Sequence, residues 1–210
     1  MSTKNNLDDK INIFALGNSE VGKTCSILKY TDNVFQEVHL MTAGIDLKTK
    51  IIEHSNGKIY KINFYDTAGQ ERYRSISVNS IKNSDGIVLM YDITKQKSYE
   101  DISIWIESIK QIKKEDFPMI LLGNKCDLED KRVVSEEEGE ELANKFGLKF
   151  FETSNKTGKN INEAADELIN QIIEIKEKQK DEKQPGEKNN YNFELNKEKT
   201  KVKEKEPCKC

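Results

Sequence analysis

Apolar and polar positions change period along this chain, and the changes mark its elements. Ile11-Asn12-Ile13-Phe14-Ala15-Leu16 is a short, mostly apolar run that reads as a strand, and Cys25-Ser26-Ile27-Leu28-Lys29-Tyr30 reads as a helix a few residues later. Ile45, Leu47, Thr49 and Ile51 alternate with Asp46, Lys48 and Lys50, the period of a strand with one exposed face. Asn56-Gly57 follows, a type I′ turn signal, so the next strand, running through Tyr65, is expected to pair antiparallel with it. Gly86-Ile87-Val88-Leu89-Met90-Tyr91 and Pro118-Met119-Ile120-Leu121-Leu122-Gly123 are continuous apolar runs, the mark of parallel strands buried on both faces. Between and after them come helical stripes. Ile102, Trp105, Ile109 and Ile112 form one, and Ile161, Ala165, Leu168, Ile172 and Ile175 another; both read as core. Ser135 with Glu138 is a capping box opening a further helix that Gly147 closes. Alternating strands and helices predict an α/β sheet with helices on both faces and one antiparallel edge. No internal repeat interrupts the pattern.

Composition adds a boundary. The 210 residues are 35% hydrophobic, enough for one domain of ordinary size, expected over residues 8 to 176. Residues 1–7 are expected to be a flexible N-terminus. From Lys176 the chain is mostly lysine, glutamate and glutamine with almost nothing apolar, so residues 177–210 are expected to form a disordered tail. Residues 176 to 210 hold 11 lysines and 8 acids, a charge of +3; subtraction from the net −3 leaves −6 on the remainder. Nucleic acid is not an expected partner, because tracking phosphates needs a concentrated positive field. No signal peptide or membrane span is evident, which predicts a reducing, cytosolic setting without a disulfide framework. Of the four cysteines, Cys25 and Cys126 are expected to be packed small side chains.

Candidate chemistry sits where the strands end. Gly17-Asn18-Ser19-Glu20-Val21-Gly22-Lys23-Thr24 fits GxxxxGKT between a strand and a helix. Its glycines let successive backbone N–H groups turn inward around phosphate oxygens at the positive end of the following helix. Lys23 is expected to reach the β- and γ-phosphates, and the Thr24 hydroxyl to coordinate Mg2+. Taken alone the pattern could be a surface glycine turn; the flanking strand and helix speak for a phosphate loop. Asn124-Lys125-Cys126-Asp127 follows an apolar strand, where a carboxylate can accept two hydrogen bonds from the N1–H and 2-amino group of guanine. Adenine lacks that amine, so Asp127 is the expected specificity residue. The same four residues could also be a plain polar loop.

Together with Thr42, Asp66-Thr67-Ala68-Gly69-Gln70 and Thr153-Ser154-Asn155-Lys156, these segments resemble a Ras-superfamily small GTPase, more narrowly a Rab protein, over roughly residues 8 to 176. The resemblance implies a P-loop NTPase fold with a six-stranded, mostly parallel sheet. It implies GTP or GDP bound with Mg2+ by Gly17, Ser19, Glu20, Val21, Gly22, Lys23, Thr24 and Cys25. Phe35 would pack on the guanine, Asn124, Lys125 and Asp127 would recognise it, and Ser154, Asn155 and Lys156 would contact it. Asn155 stands for the usual alanine, but the contact implied there is a backbone N–H. Thr24, Thr42 and Asp66 would hold the metal, Asp66 through a water. Gln70, Lys23 and Gly69 would carry catalysis: Gln70 by orienting the attacking water, Lys23 with Mg2+ by absorbing developing charge, and Gly69 by touching the γ-phosphate.

The effector-facing positions are Ile45, Leu47, Tyr65 and Tyr73. Leu47 replaces the family's phenylalanine and Tyr65 its tryptophan, and Ala43 also departs from the pattern, so a smaller and more polar patch is expected to select different effectors. Asn79-Ser80-Ile81-Lys82-Asn83 departs from the family's Tyr-Tyr-Arg-Gly. Cys208-Lys209-Cys210 resembles a Rab ending that receives two geranylgeranyl groups, one on each cysteine; a chance pair or a metal or redox site is the alternative. Two chains are expected because one gives only marginal, reversible attachment. The implied partners are an exchange factor, a GTPase-activating protein, a GDP dissociation inhibitor, the prenylation machinery and effectors. The implied place is the cytoplasmic face of intracellular membranes, with a cytosolic pool. A P-loop ATPase and a nucleotide-dependent scaffold with little or no hydrolysis are the competing readings.

Overall fold

The computed structural model describes residues 7–35, 45–67, 81–113 and 117–182. Its strands are β1 (Asp9–Leu16), β2 (Ile45–Glu53), β3 (Ile59–Thr67), β4 (Gly86–Asp92), β5 (Met119–Asn124) and β6 (Lys149–Thr153). They form a six-stranded sheet in the order β2-β3-β1-β4-β5-β6. The β2–β3 pair is antiparallel, and β1 with β3, β1 with β4, β4 with β5 and β5 with β6 run parallel. The helices are α1 (Lys23–Asp32), α2 (Gln96–Lys110), α3 (Glu136–Phe146) and α4 (Ile161–Glu182).

Both faces of the parallel strands are covered, which is why their sequences read as unbroken apolar runs. On one face Ile11, Ile13, Met90, Ile120 and Leu122 pack against Ile27 and Tyr30 of α1 and Leu168, Ile169 and Ile172 of α4. On the other, Phe14, Leu16, Leu89, Tyr91 and Leu121 pack against Ile102, Trp105 and Ile109 of α2 and Leu142 and Ala143 of α3. The capping box opens α3 as expected: Ser135 Oγ accepts from the Glu138 N–H, and the Glu138 carboxylate accepts from the Ser135 N–H. Gly147 closes that helix with a left-handed backbone.

Two features depart from the pattern's simplest reading. The β2–β3 hairpin is not built on a type I′ turn. His54 N–H donates to Lys58 O and Gly57 N–H to His54 O, giving a three-residue loop in which Gly57 (φ 75°) has positive φ and Asn56 does not. This is a type I turn completed by one left-handed glycine. The alternation in β2 is present, but its sense is reversed. Ile45, Leu47 and Ile51 are 42%, 50% and 62% exposed, while Lys48 and Lys50 turn toward α1. Lys50 Nζ donates to Tyr30 O at 2.6 Å and lies 3.8 Å from the Tyr30 ring centroid; Lys48 lies 3.9 Å from Asp32. The lysine stems thus cover the core edge that aliphatic side chains would otherwise fill.

Helix α4 continues to Glu182, past the point where the composition turns to lysine and glutamate. Lys176 Nζ donates to Lys10 O at 2.7 Å and lies 3.1 Å from Asp85, Glu177 pairs with Lys58 at 2.8 Å, and Lys180 pairs with Asp9 at 3.1 Å. No helix among the described residues is long and apolar enough to cross a membrane.

Candidate functional site

The parallel strands end on one side of the sheet, and their trailing loops build the site, as expected for an open α/β sheet. The loop from Gly17 to Gly22 leaves β1 and enters α1. Its backbone has positive φ at Gly17 (142°), Glu20 (62°) and Gly22 (108°), which folds it back over the helix N-terminus. The N–H groups at a helix N-terminus favour an anion. Lys23 opens α1 and is 5% exposed. Its Nζ donates to Gly17 O at 3.0 Å and Asn18 O at 2.8 Å, so the ammonium sits inside the loop. Burial pushes its pKa down to about 8, partly offset by the Asp66 charge.

The Thr24 hydroxyl donates to Asp66 Oδ2 at 2.6 Å, joining α1 to the end of β3. These two oxygen donors fit Mg2+, a hard cation that takes oxygen ligands. Thr42, Gly69, Gln70, Tyr73, Cys208 and Cys210 lie outside the described residues.

The loops after β5 and β6 meet the phosphate loop from the other side. Asn124, fully buried at the end of β5, donates through Nδ2 to Val21 O at 2.7 Å and accepts from the Thr153 hydroxyl at 3.2 Å. Asp127 Oδ1 accepts from the Ser154 hydroxyl at 2.6 Å, which orients the carboxylate. Lys125 has φ 69° and pairs with buried Asp92 at 2.7 Å. A cleft of about 280 Å³ opens between these loops, lined by Gly22, Cys25 and Phe35 on one side and by Asn124, Asp127, Asn155 and Lys156 on the other. Its size approaches that of ordinary small-molecule sites.

The loop that follows β1, the Thr24–Asp66 pair from α1 and β3, and the base-side loops are those that the sequence motifs single out. The chain matches the family model described as "Ras family" over residues 12–174. It is 42% identical to Ras-related protein Rab-10 of Diplobatis ommata over 171 residues, 81% of this chain and 85% of that one. It is 43% identical to human Ras-related protein Rab-8B over 161 residues, 77% of each chain, and 41% identical to human Ras-related protein Rab-3A over 173 residues, 82% and 78% of the two. The chain is a Rab protein of the Ras family. Its fold is therefore the P-loop GTPase fold, and the ligands of this family are GTP and GDP with Mg2+.

Two side chains of this Rab belong to the site's framework although the motifs pass over them. Asn18, inside the phosphate loop, donates through Nδ2 to Asp101 Oδ2 at 2.7 Å and accepts from the Trp105 indole N–H at 3.2 Å. Trp105 is completely buried in α2, as its stripe predicts, yet it also holds the loop. A buried indole N–H usually finds a partner, and that rule was the available signal. Asp92 is the second: beyond pairing with Lys125, it accepts from the Thr94 N–H and hydroxyl through Oδ1 at 2.9 and 2.7 Å. Of the expected effector-facing residues, Leu47 pairs across the strands with Tyr65, whose ring stacks on Phe14 with centroids 4.3 Å apart.

Proposed function

We propose that this Rab binds GTP with Mg2+ through the residues named above, hydrolyses it slowly, and in its GTP state recruits effectors to intracellular membranes during vesicle trafficking. The observation that carries the reading is the joining of both halves of the cleft. The Asp127 carboxylate stands beside Ser154 at one end, and the Thr24–Asp66 pair anchors the other, linked through Asn124 and Val21.

Asp127 selects guanine by accepting from its N1–H and 2-amino group. Phe35, 37% exposed at the cleft wall, offers an aromatic face to the base. The loop N–H groups and Lys23 hold the phosphates, with Lys23 leaving the Gly17 and Asn18 carbonyls for the phosphate oxygens. Bound Mg2+ supplies neutralisation of charge on the β- and γ-phosphate oxygens. Thr24, Thr42 and Asp66 would hold it, Asp66 through a water. Gln70 orients the water that attacks the γ-phosphate in line, with the Gly69 N–H on a γ-oxygen. Intrinsic turnover is slow, as the family resemblance implies, and an activating protein supplies further groups in trans.

Thr42 orders its segment in the GTP state and releases it with GDP, so Ile45, Leu47 and Tyr65, with Tyr73, present a nucleotide-dependent surface to effectors. An exchange factor reloads the site. Two geranylgeranyl groups on Cys208 and Cys210 tether the protein to the cytoplasmic face of its membrane, and a GDP dissociation inhibitor maintains the cytosolic pool.

Single-turnover hydrolysis of GTP by the purified, Mg2+-loaded protein, with ATP as competitor, tests the reading. Wild type is expected to convert GTP to GDP unaffected by ATP. Gln70→Leu is expected to bind GTP normally and hydrolyse it at least about tenfold more slowly, because losing a positioning group typically costs that much or more. Equal rates would remove the role assigned to Gln70.

Lys23 gives the affinity a pH signature. In the free protein its proton is lost above about pH 8. Phosphate oxygens favour the charged form, so the complex holds more protons than its parts above that pH. GDP affinity is expected to be flat between about pH 6.5 and 7.5 and to fall above pH 8 by up to roughly tenfold per unit. Calorimetry in buffers of different ionisation enthalpy would read the accompanying proton uptake.

A further inference from the structure

Asn155, in the loop after β6, is 5% exposed. Its Nδ2 donates to Gly22 O at 3.0 Å, and its Oδ1 accepts from the Ser26 hydroxyl at 2.6 Å. The Ser26 backbone N–H in turn donates to Gly22 O at 2.9 Å. These three bonds close a ring joining the loop after β6, the last residue of the phosphate loop and the first turn of α1. A helical serine commonly turns its hydroxyl back to a carbonyl of the preceding turn. Here the hydroxyl goes to Asn155, and the preceding carbonyl, Gly22 O, is shared by a backbone N–H and the Asn155 amide.

The packing leaves no slack. A Cβ on Gly22 would stand 2.7 Å from Asn155 Nδ2 and 2.2 Å from Asn124 Nδ2. Two amides from the two base-side loops thus donate to two successive carbonyls, Val21 and Gly22. The Asn124 grip belongs to the Asn-Lys-x-Asp segment. The Asn155 grip comes from the loop after β6 and needs Ser26 to complete it.

We infer that the Asn155 side chain, through its ring with Ser26 and Gly22, is a positioning residue that fixes the base subsite relative to the phosphate subsite and so slows nucleotide release. This rests on the guanine-nucleotide reading above. A ligand that spans two subsites gains when their separation is fixed, because the second contact forms at high effective concentration; a ligand filling one subsite gains nothing. The tie therefore acts on GDP and not on guanosine, whose base and ribose leave the phosphate loop empty.

The test compares full-length wild type, Asn155→Ala, Ser26→Ala and the double variant. Release of a fluorescent GDP analogue and GDP affinity are measured for each, with guanosine affinity by NMR titration. Asn155→Ala is expected to speed GDP release and weaken GDP roughly tenfold, the effect of losing one or two partly buried hydrogen bonds, while guanosine binding changes less than about twofold. Ser26→Ala breaks the same ring without altering the base-side loop, and it is expected to move GDP in the same direction. The double variant is expected to be no worse than Asn155→Ala, since one ring is broken only once. Unchanged GDP release in both single variants overturns the inference. So does a loss of guanosine affinity equal to that of GDP, which would mean local loosening of the base loop. A wild type that bound no GDP would remove the functional reading and the tie together; wild type and Asn155→Ala binding GDP alike would remove only the tie.

Discussion

Replacing Asp127 with asparagine is expected to weaken GDP and GTP by two to four orders of magnitude while leaving the fold intact. The carboxylate offers only acceptors, and guanine presents two donors to it. Each charge-assisted hydrogen bond contributes about 1.5–3 kcal/mol, so replacing one by a donor–donor clash and removing the charge from the other costs roughly 3–6 kcal/mol. An amide in the same place keeps one acceptor and sets an N–H against a guanine donor. Fold stability should change little, because Asp127 makes its bond to Ser154 from a half-buried position at the cleft rather than from the core. Competition titrations against GDP, with xanthosine diphosphate as a second ligand, read the outcome. Xanthine carries an acceptor where guanine has its 2-amino donor, so the variant should gain relative preference for it. A variant that kept wild-type guanine affinity would take the specificity role away from this carboxylate.

Gly17→Ala is expected to be the most damaging single methyl in the phosphate loop. The new Cβ would stand 2.1 Å from Met90 O, a backbone atom of β4, a strand held between β1 and β5, and the residue has φ 142°. Neither obstacle can relax cheaply, since one is a sheet backbone and the other the residue's own conformation. Strain of about 1–3 kcal/mol and overpacking of about 1–3 kcal/mol add to a loss comparable with much of a small domain's stability. Gly57→Ala supplies the control. That glycine also has positive φ, 75°, but no atom lies within 4 Å of the place its Cβ would take. It should cost only the conformational penalty, about 1–2 kcal/mol. Urea unfolding of both variants checks the pair; equal costs would show that crowding against β4 contributes nothing.

Much of this structure was legible because buried parallel strands cannot hide. A run such as Ile120-Leu121-Leu122 is apolar at every position since α4 covers one face and the α2–α3 layer the other. The capping box at Ser135 was equally plain, being a local exchange of two hydrogen bonds. What the pattern could not convey was decided by distant partners. A period of two says that β2 has two faces but not which one is covered; Lys50 reaching Tyr30 on α1 settles it. Asn56-Gly57 serves both two- and three-residue loops, and the His54–Lys58 pairing chooses the longer one. The lysine- and glutamate-rich start of the tail looks unable to anchor itself, yet Lys176 and Glu177 find Asp85 and Lys58, far away in the chain.

The same division holds in the site. Residues assigned contacts through the backbone or a ligand follow motifs with fixed spacing, and the strand ends hold Gly17, Lys23, Thr24, Asp66 and Asp127 where those motifs put them. Side chains that position those residues do so across the fold. Asn155 was expected to behave as the alanine it replaces, because only its backbone N–H figured in the expected contact. Its amide instead reaches Gly22 and Ser26, and no spacing rule links positions 155, 22 and 26.

Trp105 is the chain's sole tryptophan, and its indole nitrogen ends on Asn18. Excited beyond the tyrosine absorption band, this molecule therefore emits from one source, hydrogen-bonded to the loop between β1 and α1. Loading and unloading can be followed in unlabelled protein by its brightness and colour, with no dye attached to the nucleotide and no reporter engineered into the polypeptide.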